Sequence, residues 1–225
     1  MPSGDRNPVV LIHGIDDTAA IFHKMAPYLY LHGWQVYSLD LKPNNGDIGL
    51  DRLAQQVADF VDRTFAPDQK IDLVGFSMGG IISRYYVQRL GGIDRVDRFI
   101  TIASPHYGTW TAYFRPNVGA AQMRRGSLFL ADLNRDADML DRLNFTSIWT
   151  PLDLMIVPAA SSQMPVGKCV QIPVSGHAWM VNRFAQPAGD RRCLSGTVAV
   201  DRLDQLKNFC RSGLMTSGES ATLGG

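Results

Sequence analysis

Strand-like apolar runs that alternate with helix-like amphipathic runs predict an α/β fold, with a mostly parallel sheet of about six strands and helices on both faces. Three observations carry this expectation. Short apolar runs stand at residues 9–12, 35–39, 71–74, 98–103, 146–149 and 170–173. Stretches between them repeat apolar residues at helical spacing. With 225 residues, 45% hydrophobic and 19% charged, the chain is long and apolar enough to bury one substantial core.

The elements follow in order. VVLI at 9–12 is a short apolar strand. Residues 18–31 read as one helix with Ile21, Met25, Tyr28 and Leu29 on one face, and 35–39 as the next strand. Leu50, Leu53, Ala54, Val57, Phe60, Val61 and Phe65 then mark a long amphipathic helix. The strand at 71–74 runs into GFSMG at 75–79, and an amphipathic run, 81–90, follows at once. A β-branched strand at 98–103 precedes a stretch, 105–145, too long for an ordinary connection and rich in large apolar residues. Such an insertion is expected to form a lid or pocket wall. Strands at 146–149 and 170–173 and a closing helix at 201–210, with Leu203, Leu206, Phe209 and Cys210 facing the sheet, complete one domain over 1–211. The small polar residues 212–225 read as a tail.

Composition excludes several classes. A formal net charge of +1 offers no basic stripe for nucleic acid. No apolar run approaches the ~18 residues needed to span a bilayer. The first residues lack the apolar centre of a secretory signal, so a cytoplasmic protein is expected. Cys169, Cys193 and Cys210 are odd in number and lack metal-ligand spacing; buried free thiols are expected ahead of a Cys169–Cys193 disulfide. No metal, cofactor or obligate protein partner is called for.

The chemistry centres on Ser77. Strand, sharp turn and helix would hold its hydroxyl clear of the sheet, with Gly75 and Gly79 allowing close approach. A serine needs a base, normally a histidine oriented by a carboxylate. His177 sits in a loop just past a strand end, where ligand chemistry gathers in open parallel sheets. His106 also follows a strand end and is the rival; its other reading is a pocket-wall or loop-ordering histidine. His177 is preferred because it follows the acid in chain order. His23 and His32 read as solvated or capping. Asp153 is the first carboxylate past the strand at 146–149 and is expected to be partly desolvated. Asp136, Asp138 and Asp141 read as solvated. The main-chain N–H groups of Met78 and Ile15 are the expected oxyanion donors. Gly14 lets the backbone approach substrate, and His13 reads as ordering that loop. His13, Gly14, His106, Trp110 and Phe114 are the candidate substrate-binding positions.

VVLIHGI (9–15), DLVGFSMGG (72–80), ITIASPHYGT (100–109), TSIWTPLDLMIV (146–157) and Gly176–His177 together resemble the α/β-hydrolases, and specifically the small bacterial triacylglycerol lipases. MRRGSLFLADLN (123–134) is similar to a segment in the cap of that group. The resemblance implies Ser77 as nucleophile, Asp153 as acid, His177 as base, and Ile15 and Met78 as oxyanion donors, the positions reached above. It implies cofactor-independent hydrolysis of acyl esters, with glycerolipids as substrates. Acyl transfer or thioester hydrolysis on the same residues, and a ligand-binding protein on a hydrolase scaffold, are the alternatives. The chain departs from the family in lacking the first two strands of larger hydrolases, a secretion signal, and a calcium-site carboxylate set. The aromatic and Met-rich insertion is expected to bind the acyl chain, and peripheral membrane contact is possible. Arg115, Arg124 and Arg125 read as solvated surface or as headgroup contacts.

Overall fold

The computed structural model describes residues 6–183. Six strands form one parallel sheet: β1 (Val9–Ile12), β2 (Val36–Leu39), β3 (Ile71–Phe76), β4 (Val96–Ile102), β5 (Asn144–Trp149) and β6 (Lys168–Gln171). Their spatial order is β2-β1-β3-β4-β5-β6. All four residues of β1 and all six of β3 are buried, as central strands covered on both faces require.

Chain direction across the sheet reverses once. The link from β1 to β2 moves one way, and every later link moves the other. Right-handed crossovers therefore put α1 (Met25–Leu31) on one face, and α2 (Leu50–Thr64) and α3 (Met78–Arg89) on the other. The reversal leaves a crevice beyond the C-terminal ends of β1 and β3, where open α/β sheets bind ligands. Leu50, Leu53, Ala54, Val57, Ala58 and Val61 of α2 form the buried stripe that its periodicity predicts.

Two elements differ from the sequence reading. Residues 18–31 do not form one helix. A 3-10 turn, Ala19–Phe22, precedes α1, which begins only at Met25. Pro27 explains the break: it lacks an N–H and fits only in a helix's first turn, so no helix passes through it from Thr18. The last strand lies two residues earlier than expected, with Cys169 and Val170 opposite Ser147 and Ile148. As an edge strand it is largely exposed, and the Cys169 thiol is free and exposed rather than buried. Cys193, Cys210, the 201–210 helix and the tail lie outside the described residues.

The insertion holds a 3-10 turn (Trp110–Phe114), α4 (Val118–Gln122), α5 (Leu128–Arg135) and a second 3-10 turn (Ala137–Arg142). Thr109, Asn117 and Ser127 each accept a backbone N–H at the start of the next element, which explains where three of these begin. Its second half is fastened to α3. Leu130, Leu133, Ala137 and Leu140 join the core, and Phe129 stacks on Tyr85 with centroids 5.3 Å apart. A short helix, α6 (Trp179–Arg183), follows the loop that carries His177.

Candidate active site

Ser77 stands between β3 and α3 with φ 53° and ψ −124°, a backbone conformation rare outside glycine. Such strain costs on the order of 1–3 kcal/mol and persists only where packing enforces it. The packing is explicit. A side chain at Gly75 would meet the Gly80 Cα at 2.5 Å, and one at Gly79 would collide with the Ile12 and His13 carbonyl oxygens. Strand, helix and the β1 loop thus close on the serine from three sides. Ser77 is buried but lines a cavity of about 130 Å³.

Asp153 and His177 come together in the structure. His177 Nδ1–H donates to Asp153 Oδ2 at 2.8 Å, while Asp153 Oδ1 accepts the Met155 and Ile156 N–H groups at 2.9 and 3.0 Å. The carboxylate is buried and fully engaged, and it leaves Nε2 as the free ring nitrogen. The two loops are also joined by Gly176 N–H to the Leu152 carbonyl, and the His177 ring packs 4.9 Å from Phe76, the residue before Ser77. Ile156 alone of the apolar run after Asp153 is buried; Leu154 and Met155 are exposed.

His13 is fully buried. Its Nδ1–H donates to the Gly14 carbonyl at 2.8 Å, and its Nε2 accepts the Leu41 N–H at 3.0 Å. Both bonds together select the neutral Nδ1–H tautomer. His13 thus orders the loop between β1 and Ile15 rather than facing substrate. Gly14 does face the site: a Cβ there would lie 3.1 Å from that of Ser77.

His106 is placed differently from a substrate-binding residue. It is fully buried, donates from Nε2 to Thr101 Oγ1 at 2.9 Å, and accepts from Arg84 Nη1 at 3.4 Å. Burial and then the Arg84 charge push its pKa well down, so it stays neutral. Trp110 and Phe114 also fall outside the cavity lining, with 54% and 88% of their surface exposed. Their neighbours Thr109, Thr111, Ala112 and Arg115 form that wall instead, with Met123, Met155 and Ile156. Thr109 and Thr111 hydroxyls both donate to the Met155 carbonyl, which locks the insertion to the loop after Asp153.

Several charged residues have roles that the sequence did not reveal. Arg115 is solvated but also pairs with Asp16 at the cavity, which holds its own pKa up. Asp136 accepts Arg89 Nη1 at 2.7 Å, and this pairing pulls its carboxyl below the usual range. Arg84 is fully buried and donates to Gln88, Asn134 and the Leu133 carbonyl; burial lowers its pKa to about 10. Its position three residues past Ile81, on the apolar face of α3, was the available signal. Among the described residues no group of three or more His, Cys, Asp or Glu is placed to hold a metal ion.

A six-stranded parallel sheet with a reversal beside a strained serine turn defines the α/β-hydrolase fold, and the chain has that fold. Residues 8–113 match the family model described as palmitoyl protein thioesterase. The chain is 31% identical over 122 residues to a triacylglycerol lipase of Pseudarthrobacter phenanthrenivorans, a match that covers 50% of this chain and 37% of that protein. It spans about a third of the length of the curated relatives it matches. Among solved structures, the mature lipase BlEst2 of Bacillus licheniformis superimposes with a TM-score of 0.67 at 16% identity, covering 80% of this chain and 89% of that one. The metagenomic carboxyl esterase MGS0156 gives a TM-score of 0.69 at 14% identity over 95% and 78% of the two chains.

Proposed function

We infer that this protein is a serine carboxylic-ester hydrolase of the lipase/esterase type, acting through Ser77, His177 and Asp153. The observation that carries the reading is the strained Ser77 turn on the same sheet edge as a buried Asp153–His177 pair. His177 Nε2 takes the Ser77 proton as Oγ attacks the ester carbonyl, and Asp153 fixes the tautomer and steadies the imidazolium. The N–H groups of Ile15 and Met78 face the developing oxyanion, each worth about 3–4 kcal/mol of transition-state stabilisation. His177 then protonates the leaving alcohol, and a water activated by the same nitrogen releases the acyl group.

The cavity of about 130 Å³ is close in size to the ~150 Å³ apolar hole that holds one benzene ring, so its walls take the first few acyl carbons. Longer chains run out over exposed apolar residues of the same segments, Phe114, Leu154 and Met155 among them. These residues supply peripheral contact with a lipid surface; no helix among the described residues is long and apolar enough to cross a membrane. The exposed free thiol of Cys169 fits a reducing cytoplasmic setting.

The palmitoyl protein thioesterase match favours a second reading, thioester hydrolysis on the same residues. Turnover of p-nitrophenyl butanoate, butanoyl thioester and emulsified triglyceride by wild type and Ser77→Ala tests both. Loss of all turnover in the folded variant, with oxyesters cleaved ahead of thioesters, supports the main reading. Undiminished cleavage by Ser77→Ala sinks it, and a thioester preference transfers it to the second.

A further inference from the structure

Two adjacent aspartates follow Ile15, and the structure treats them differently. Asp16, at φ 59°, lines the cavity and is neutralised by Arg115. Asp17 is fixed through its backbone: its N–H reaches the Gly14 carbonyl at 3.4 Å, and its carbonyl accepts Asn44 Nδ2 at 2.5 Å. Its half-buried carboxylate receives no hydrogen bond among the described residues. One of its oxygens lies 3.2 Å from the point where a Gly14 Cβ would sit, and the Ser77 Cβ lies 3.1 Å from that same point. A side chain at Gly14 would touch both this carboxylate and the serine.

The titratable groups around it are Asp16, His13 and His177, and the two histidines ease its charge. Asp16 repels it. Both His13 nitrogens are engaged with the backbone. His177 is committed to Asp153. Partial burial pushes the Asp17 carboxyl up for want of solvation. A carboxylate with no hydrogen-bond donor of its own among the described residues has acceptor sites open to a donor on the substrate.

Position decides which half of the substrate that is. The cavity is walled by Ile15, Asp16, Thr109, Ala112, Met123 and Ile156, and Asp17 is not part of that wall. It lies near enough to His177 to interact with it, and α6, just after His177, packs against the Ala19–Phe22 turn, just after Asp17. His177 delivers its proton to the departing alcohol. We propose that Asp17 is a specificity-determining residue whose carboxylate accepts a hydrogen bond from a free hydroxyl on the alcohol half of the ester, so that esters of polyols are favoured over simple alkyl esters. The proposal rests on the ester-hydrolase reading above.

The test compares kcat/KM for glyceryl monobutanoate, n-propyl butanoate and butyrylcholine in wild type, Asp17→Asn and Asp17→Ala. A hydrogen bond to a charged acceptor predicts a wild-type preference for the glyceryl over the propyl ester of roughly ten- to a hundredfold. The ratio falls to near one in Asp17→Ala and to an intermediate value in Asp17→Asn. A ratio unchanged in Asp17→Ala overturns the proposal, as does an equal loss on both esters, which marks a merely structural residue. A wild-type ratio near one overturns it whatever the variants do, and a preference for butyrylcholine replaces the hydroxyl with a cation. Wild type inactive on all three esters overturns the hydrolase reading instead, a result distinct from the others.

Discussion

Ser77 holds its positive φ at a turn where Gly75 and Gly79 let strand, helix and the β1 loop close in, whereas Asp72 and His106 show what burial does to groups away from that turn. Asp72, the second residue of β3, is held at 3.4 Å by Arg98 and at 3.2 Å by Asn7, yet burial outweighs both and raises its pKa to about 6. In the unfolded chain it titrates near 3.8, so between about pH 4 and 6 the native state binds a proton that the unfolded state does not, and Asp72 adds stability as pH falls. His106 works the other way. Its folded pKa lies well below the ordinary 6.5, so below that pH the unfolded state takes up a proton first and stability drops. Denaturant unfolding at pH 5.0 and 7.5 should therefore separate them (both pH values about the ordinary histidine range). Asp72→Asn should lose more stability on acidification than wild type, and His106→Gln less. Identical pH slopes in all three proteins would contradict this assignment.

At the scale of elements, α5 is held to α3 by two arginines of unlike worth. Arg84 is inaccessible to solvent and its partners, Asn134 and the Leu133 carbonyl, are themselves in the interior or at its edge. Arg84→Ala removes donors from buried acceptors, including His106, and leaves a hole; a loss of about 2–4 kcal/mol is expected. Arg89 makes more ion pairs, to Asp132 and Asp136, but both carboxylates are over a third exposed. Screening limits Arg89→Ala to about 1 kcal/mol. Urea midpoints measure the difference, and a larger effect at Arg89 would reverse the ranking. This anchoring also divides the insertion. Residues 128–142 belong to the helical layer, and the cavity wall comes from 105–123. The helical spacing of Leu130, Leu133 and Leu140 was legible in the sequence, but that pattern reads the same for a lid and for a helix packed on the sheet.

For the molecule as a whole, most of the exposed large apolar side chains among the described residues belong to the insertion and to the loop around Asp153, with Tyr30 and Leu31 of α1 apart. Phe114, Leu128 and Leu154, each more than four-fifths exposed, come from the insertion and from the loop after Asp153. Fully burying one such side chain is worth about 1.5–3 kcal/mol, and partial insertion into lipid captures a fraction of that. The double variant Phe114→Ser, Leu154→Ser should lower partitioning onto phosphatidylcholine vesicles about tenfold in co-sedimentation. Unaltered partitioning would place the lipid-facing surface elsewhere.

The sequence by itself determined the sheet and marked the residues proposed to react. Parallel strands buried on both faces must be continuous apolar runs, a serine turn must carry glycines, and a base must follow a strand end. These are local requirements that leave local marks at Ser77, Asp153 and His177. Tertiary structure alone decided how the charges are used. Arg115 and Asp16, Arg84 and His106, and Asp17 and Ser77 are far apart in the chain, and nothing in their neighbours' periodicity brings them together. An arginine reads the same in sequence whether it is solvated, pairs across a cavity or holds a buried histidine. Its surroundings settle the matter, because the energy of a charge depends on what replaces the water around it.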